Sequence, residues 1–229
     1  MPRDTIALDP RLTAVAGFCG SCKRFADIGT DHGRLGAYLL QTNRCESVQF
    51  TDISDQSLQK ARRLIGILGL SKKAAFLTGD GAAALREAPD VAVIAGMGGE
   101  TIAGIVERGR QIFAGAKLVL QPNVDAPLLR RRLSEAGFAI EDEAIVRDGR
   151  RLYVILTART GERNLTETEA EVGPVLMIKR PAELYDYAAF RLRVANKALI
   201  GAKRGGDGTA ELERQIAIWE EVASWRMPE

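Results

Sequence analysis

The 229-residue chain has 32 Lys+Arg against 30 Asp+Glu, a formal net charge of +2, which decides against neither a small-molecule nor a nucleic-acid partner. Its length accommodates one full α/β domain with an appendage, or two small domains. No apolar run reaches the ~18 residues of a membrane-spanning helix, the opening MPRDTIALDPRLTAVAG lacks the pattern of a signal peptide, and three cysteines make no disulfide framework; the expectation is a cytoplasmic chain with reduced thiols and no membrane partner.

Cys19 and Cys22 form a lone CxxC, and His32 is the only histidine, so no metal site is expected. From residue 24 to about 158, short β-branched runs alternate with helical stretches, the mark of βαβ units around a parallel sheet. A strand over 24–28 runs into Asp27-Ile28-Gly29-Thr30-Asp31-His32-Gly33 and a helix over 35–42. The next strand, 48–52, ends on Asp52 and precedes a helix over 54–68. A third, 75–78, leads to Gly79-Asp80-Gly81 and a helix over 81–86. A fourth, 91–95, leads to Gly96-Met97-Gly98-Gly99 and a helix over 100–109. A fifth, 118–121, leads to Gln121-Pro122-Asn123 and a helix over 126–136. The last two strands, 139–145 and 152–158, are joined by Arg147-Asp148-Gly149-Arg150, which leaves no room for a helix and predicts an antiparallel hairpin at one edge. A six-stranded dinucleotide fold has no need of that hairpin. The expected fold is therefore a class I, Rossmann-like, seven-stranded methyltransferase sheet.

Past Thr160 the composition turns polar and helical, which divides the chain into 1–160 and 161–229. Pro181 opens a helix on which Leu184, Ala188, Leu192, Ala195 and Leu199 form an apolar stripe. The segment 205–208, Gly-Gly-Asp-Gly, breaks it, and Leu212, Ile216, Trp219 and Ala223 resume the spacing, predicting two antiparallel helices.

The ordered motifs describe an adenosine-shaped pocket. A glycine-rich turn after one strand lets backbone approach a ligand, and Asp52 at the end of the next accepts both hydroxyls of a ribose. A pyrophosphate needs glycine amides and a helix N-terminus free of negative charge, yet Asp31 stands where the middle glycine would be. A carboxylate there suits a ligand bearing an ammonium and a sulfonium, so S-adenosylmethionine is favoured over a nicotinamide dinucleotide. Asp27 and Gly29 are expected to bracket its methionine part. Asp80 is placed to accept from the adenine amine, with Gly81 leaving room for the ring, and Gly96 and Met97 form a wall along which a flat base can slide. The Asn/Asp-Pro-Pro-aromatic signature of exocyclic-amine methylation is absent, leaving ring nitrogens, carbons or oxygens as acceptors. Asn123 either reads a base edge or caps the next helix. Arg130, Arg131 and Arg132, with Arg147, Arg150 and Arg151, meet phosphates if they share a face, or else form a solvated helix face and a hairpin tip.

Segments 27–33, 79–81, 95–99 and 118–123, with Tyr153 in the last strand, resemble the bacterial tRNA (adenine(22)-N(1))-methyltransferase family. The resemblance runs from about residue 11 to 158, and the helical hairpin is similar to that family's coiled-coil C-terminal domain. It implies methyl transfer from S-adenosylmethionine to N1 of adenine 22 in the D-arm of tRNA. Neutral adenine has a lone pair at N1, so positioning outweighs base catalysis. On this basis Asn123 orients the base edge and Asp31, or a carbonyl near Gly96, stabilises the cationic product. Tyr153 stacks on a nucleotide or fills the sheet edge. Asp52 replaces the family's common glutamate and keeps the carboxylate. Arg34 departs from the family pattern and suits an RNA phosphate, as do Arg130 and Arg131. Alternatives are a class I methyltransferase for another RNA site or a small molecule, and a non-catalytic RNA-binding relative.

Overall fold

The computed structural model describes residues 5–205 and 208–225. Its strands are β1 (Cys22–Ile28), β2 (Cys45–Asp52), β3 (Ala74–Thr78), β4 (Val91–Gly98), β5 (Lys117–Val124), β6 (Phe138–Asp148) and β7 (Arg151–Thr160). They form one seven-stranded sheet in the order β3-β2-β1-β4-β5-β7-β6. β1 to β5 are parallel, whereas β7 runs antiparallel to both β5 and β6, as the short 147–150 connection requires.

Side-chain alternation along the strands feeds two cores. On one face Ala26, Ile28, Ala92 and Ile94 pack with α4 (Gly99–Arg108) and α5 (Ala126–Glu135). On the other, Phe25, Val91 and Val93 pack with α1 (Pro10–Cys19), α2 (Arg34–Gln41) and α3 (Asp55–Leu68). The helix expected over 81–86 is a single 3-10 turn, Gly81–Ala84. α1 lies outside the alternating pattern, and its start is set by Asp9, whose carboxylate accepts from the Leu12 amide, with Pro10 at the first helical position.

Beyond Thr160, where β7 ends, come α6 (Glu167–Val172), α7 (Leu176–Lys179), α8 (Ala182–Gly205) and α9 (Ala210–Ser224). α6 opens with a capping box between Thr166 and Glu169. α8 and α9 run antiparallel: Tyr187, early in α8, meets Trp219, late in α9, with ring centroids 5.6 Å apart, while Lys203 pairs with Glu213 at 3.5 Å. Of the expected α8 stripe, Leu184, Ala188 and Ala195 are buried and Leu192 and Leu199 half-buried. On α9, Val222 rather than Ala223 takes the last buried position, since a step of three from Trp219 returns to the same face as well as a step of four. Gly206 and Asp207 of the expected glycine turn lie outside the described residues. A third apolar cluster joins Ala126, Ile145 and Val154 to Val172, Leu184 and Trp219, so the C-terminal helices share a core with the sheet domain.

Candidate active site

Strand order reverses at β1, with β2 and β3 to one side and β4 and β5 to the other, and such a switch point leaves a crevice outside the strands' carboxyl ends. A cavity of about 640 Å³ opens there. Asp27, Gly29 and Asp31 line it from the first turn, with Arg34 at the start of α2. Gly96 and Met97 line it from the end of β4, and Asn123 and Tyr153 from β5 and β7. These eight sequence-predicted residues are brought together.

Asp27 is the last residue but one of β1, with its side chain buried. Its Oδ2 accepts from the Thr30 hydroxyl at 3.1 Å and from the Gly36 amide at 3.3 Å. Burial pushes the carboxyl up to about 6 against the lowering effect of these two donors, and nearby Asp52 raises it further. A cationic group entering the crevice would find here a carboxylate whose water has been stripped. Gly29 follows at φ +73, and a Cβ on it would meet Met97 Cε at 1.9 Å, so the turn and the Met97 side chain are mutually fitted.

Asp31 is exposed on the rim. Its carboxylate lies 2.7 Å from His32 Nδ1 and 3.4 Å from Lys60 Nζ on α3. Arg34 reaches the other way, donating to the Ala7 carbonyl at 2.5 Å and holding the segment before α1.

The acceptor side of the cavity rests on a relay absent from the sequence-based expectations. Arg11, on α1, donates to Gln121 Oε1 at 2.6 Å; Gln121 Nε2 donates to Asn123 Oδ1 at 3.2 Å; Asn123 Nδ2 donates to the Gly96 carbonyl at 2.7 Å. Arginine carries donors only, so the direction of every bond along the relay is set from Arg11 outward. Gln121 is fully buried and Asn123 exposed, which leaves one amide hydrogen and one lone pair of Asn123 free for a ligand. Gly96 adopts φ +81 at a register shift between β4 and β5, which turns its carbonyl toward Asn123; Pro122 pairs opposite that irregularity, where a missing N–H is tolerated. The Arg11 guanidinium also sits 5.6 Å from the Tyr153 ring centroid. Asp9-Pro10 is a readable helix start, but nothing in the sequence connects Arg11 to Gln121, 110 positions away.

The remaining expected donor residues stand on neighbouring strand ends, outside this cavity. Asp52 is half-buried, with Oδ1 accepting from the Ser54 amide at 2.7 Å, and its carbonyl takes the Gly79 amide at 3.0 Å. Asp80 is exposed and paired with Arg108 at 3.0 Å; Gly81 is buried against Ile105.

Arg130 corrects the expectation of an RNA contact. Its side chain is fully buried; Nε donates to Glu143 Oε1 at 2.7 Å and Nη1 to the carbonyls of Ala170 and Glu171. Position 130 falls one turn after buried Ala126, so the helix aims it at β6 and α6 rather than at solvent. Arg131 is half-buried on the same helix and lines neither of the two clefts described here. Arg132 is paired with Glu107. Arg147, Arg150 and Arg151 do converge, on a second groove that shares Asn123 and Tyr153 with the first cavity.

Among the described residues, no group of three or more His, Cys, Asp or Glu could hold a metal ion, and no helix is long and apolar enough to cross a membrane. Cys19, Cys22 and Cys45 are free thiols, and burial pushes them up to about 12, 11 and 12, which keeps them protonated at neutral pH.

A family model described as "Methyltransferase domain" matches residues 8–156. The tRNA (adenine(22)-N(1))-methyltransferase of Bacillus subtilis (strain 168) is 32% identical over 161 residues, covering 69% of this chain and 68% of that relative. The crystal structure of the B. subtilis m1A22 tRNA methyltransferase TrmK superposes with a TM-score of 0.87 at 27% identity, covering 95% of this chain and 99% of that one. A Streptococcus pneumoniae protein solved in complex with S-adenosyl-L-methionine superposes with a TM-score of 0.86 at 28% identity, covering 95% of this chain and 100% of that one. The chain belongs to the bacterial tRNA (adenine(22)-N(1))-methyltransferase family.

Proposed function

We propose that this protein transfers the methyl group of S-adenosylmethionine to N1 of adenine 22 in tRNA. The observation that carries the proposal is that Asn123 and the Gly96 carbonyl, ordered by the relay from Arg11, stand on the wall of the same cavity as buried Asp27.

The residues present fit the donor. Asp27 supplies a dehydrated carboxylate for its ammonium, the positive-φ turn at Gly29, closed on one side by the Met97 side chain, supplies a close backbone approach for its methionine part, and Asp52 supplies a carboxylate with an oxygen to spare for the ribose diol. Asp80, just past the end of β3, is the candidate to accept from the adenine amine in exchange for Arg108, whereas Gly81 leaves no room for the ring, since Ile105 packs where its side chain would be. When bound, the donor would supply an electrophilic methyl on a sulfonium; the N1 lone pair of neutral adenine forms the new C–N bond as the S–CH3 bond breaks and S-adenosylhomocysteine leaves as the neutral thioether, so no prior deprotonation is needed.

Catalysis by the chain is therefore positioning and charge stabilisation. The free lone pair of Asn123 Oδ1 accepts from the N6 amine of the target, which leaves the adjacent N1 lone pair unobstructed. The Gly96 carbonyl and the Asp31 carboxylate face the positive charge that develops on the ring. Tyr153, steadied by Arg11, offers a stacking face, and Arg34 and Arg131 serve RNA phosphates. In this reading the chain divides between 160 and 161, and helices α6 to α9 extend the RNA surface beyond the sheet. The test is transfer of labelled methyl to bulk unmodified tRNA with nucleoside analysis: label in 1-methyladenosine supports the proposal, and donor binding without labelled tRNA transfers the protein to the class that uses another acceptor.

A further inference from the structure

A second groove, of about 800 Å³, lies between the β6–β7 hairpin tip and α8. Asn123, Arg151 and Tyr153 line both it and the first cavity, so the two are separated only by the acceptor wall. Five arginines and two aspartates face it. Arg147 is held by Asp186 and Arg191 by Glu171, but Arg150 and Arg193 have no carboxylate partner among the described residues. Between these cations α8 exposes Phe190 and Val194, at 44% and 49% of their surface, and Val124 faces them at 59%. An exposed aromatic ring flanked by unpaired arginines is a surface for a base and its phosphate, whereas a purely apolar partner would leave those cations desolvated and unmatched.

We infer that this groove binds the nucleotide next to the target adenine, with its base on Phe190 and Val194 and its phosphate between Arg150 and Arg193. The inference rests on the tRNA-methylating function proposed above. Extruding one base from folded RNA unstacks its neighbour, and the exposed neighbour needs a new face to cover it. Phe190 supplies that face one wall away from the reacting site. The ring is itself supported by Tyr187, at 6.2 Å between centroids, which packs in turn on buried Trp219; Trp219 Nε1 donates to Glu171 at 2.7 Å, and the Arg191 guanidinium donates to the same Oε1 at 2.6 Å. The groove is thus built on a rigid base.

The experiment measures tRNA affinity of the full chain by gel shift over a salt series, donor affinity by calorimetry, and oligomeric state by light scattering, for wild type, Phe190→Ala, Arg193→Ala and a control, Ile178→Ala, whose exposed side chain lies off the groove. Loss of a stacked base should weaken tRNA binding by about tenfold in Phe190→Ala. Arg193→Ala should flatten the dependence of log affinity on log salt by about 0.7. Donor affinity should match wild type in both, and Ile178→Ala should bind tRNA as wild type does. Wild-type tRNA binding with unaltered affinity and salt slope in both groove variants overturns the inference and leaves the proposed activity standing. A change from dimer to monomer in Phe190→Ala without loss of tRNA affinity overturns it in favour of a self-association surface. Failure of wild type to bind tRNA removes the proposed substrate, and the groove's occupant with it.

Discussion

Arg11 and Gln121 stand 110 positions apart in the chain and meet in a 2.6 Å hydrogen bond that fixes which way the Gln121 and Asn123 amides point. Arg11→Ala removes the charged donor seen on the buried Gln121 oxygen among the described residues, at a cost of about 1–3 kcal/mol in stability. It also frees Asn123 to turn its amide. The expected result is a fall in kcat for tRNA methylation of about tenfold or more with unchanged donor affinity, partly restored in Arg11→Lys, which keeps a donor but loses the planar contact with Tyr153. Steady-state kinetics with donor calorimetry check it; an unchanged kcat would show that the relay does not orient the acceptor.

Burial of Asp27 has a consequence for pH. Its carboxyl is raised from 3.8 to about 6 in the folded protein, so between these values the unfolded chain has lost a proton that the folded chain keeps. Stability from this group therefore falls as pH rises from about 4 to about 6, by roughly 3 kcal/mol, and is level above that. Asp27→Asn should remove that slope in denaturant titrations at pH 4.5 and 7. Because a bound cation favours the ionised form, donor affinity of wild type should rise with pH up to about 6 to 7 and then level off. Calorimetry showing affinity independent of pH between 5 and 7 would remove Asp27 from donor binding.

Asp52→Ala should weaken donor binding by about two orders of magnitude, since each hydrogen bond to a charged group contributes about 1.5–3 kcal/mol. The accompanying loss at the Ser54 amide should lower stability by only about 1 kcal/mol. Calorimetry with S-adenosylhomocysteine separates the two effects, and an affinity within twofold of wild type would assign the ribose to another residue.

Breaking the buried Arg130–Glu143 pair is a stability experiment, not an RNA-binding one. Arg130→Ala leaves Glu143 buried without its counter-ion and should cost about 3–5 kcal/mol. Replacing both partners, as in Arg130→Met with Glu143→Gln, should recover much of that loss. Equal stability of the single and double variants in denaturant unfolding would show that the pair is not what ties α5 to β6.

All seven strands were legible as apolar or β-branched runs, most of them closed by Gly or an acid, and the 147–150 turn alone fixed the antiparallel edge. Asp27, Gly29, Gly96 and Asn123 were legible for the same reason, as each sits where such a run ends. Arg11 was not: α1 buries only Val15, Ala16 and Cys19, too little periodicity to announce a helix, and its partner Gln121 is distant in sequence. Arg130 looked like surface because three arginines in a row usually are; the inward turn depends on Glu143 and the carbonyls of α6, contacts that only the fold creates. The groove at Phe190 was hidden likewise, since it joins the hairpin tip to a helix some 40 residues later.

Methyl transfer to N1 of adenine 22 is read most directly by primer extension on an unmodified tRNA transcript incubated with the protein and S-adenosylmethionine, beside a transcript in which adenine 22 is replaced. A methyl on N1 occupies the Watson–Crick edge, so methylation at adenine 22 should give a donor-dependent stop at position 22 that disappears in the substituted transcript. Full-length extension of both transcripts, under conditions where the protein binds its donor, would contradict it.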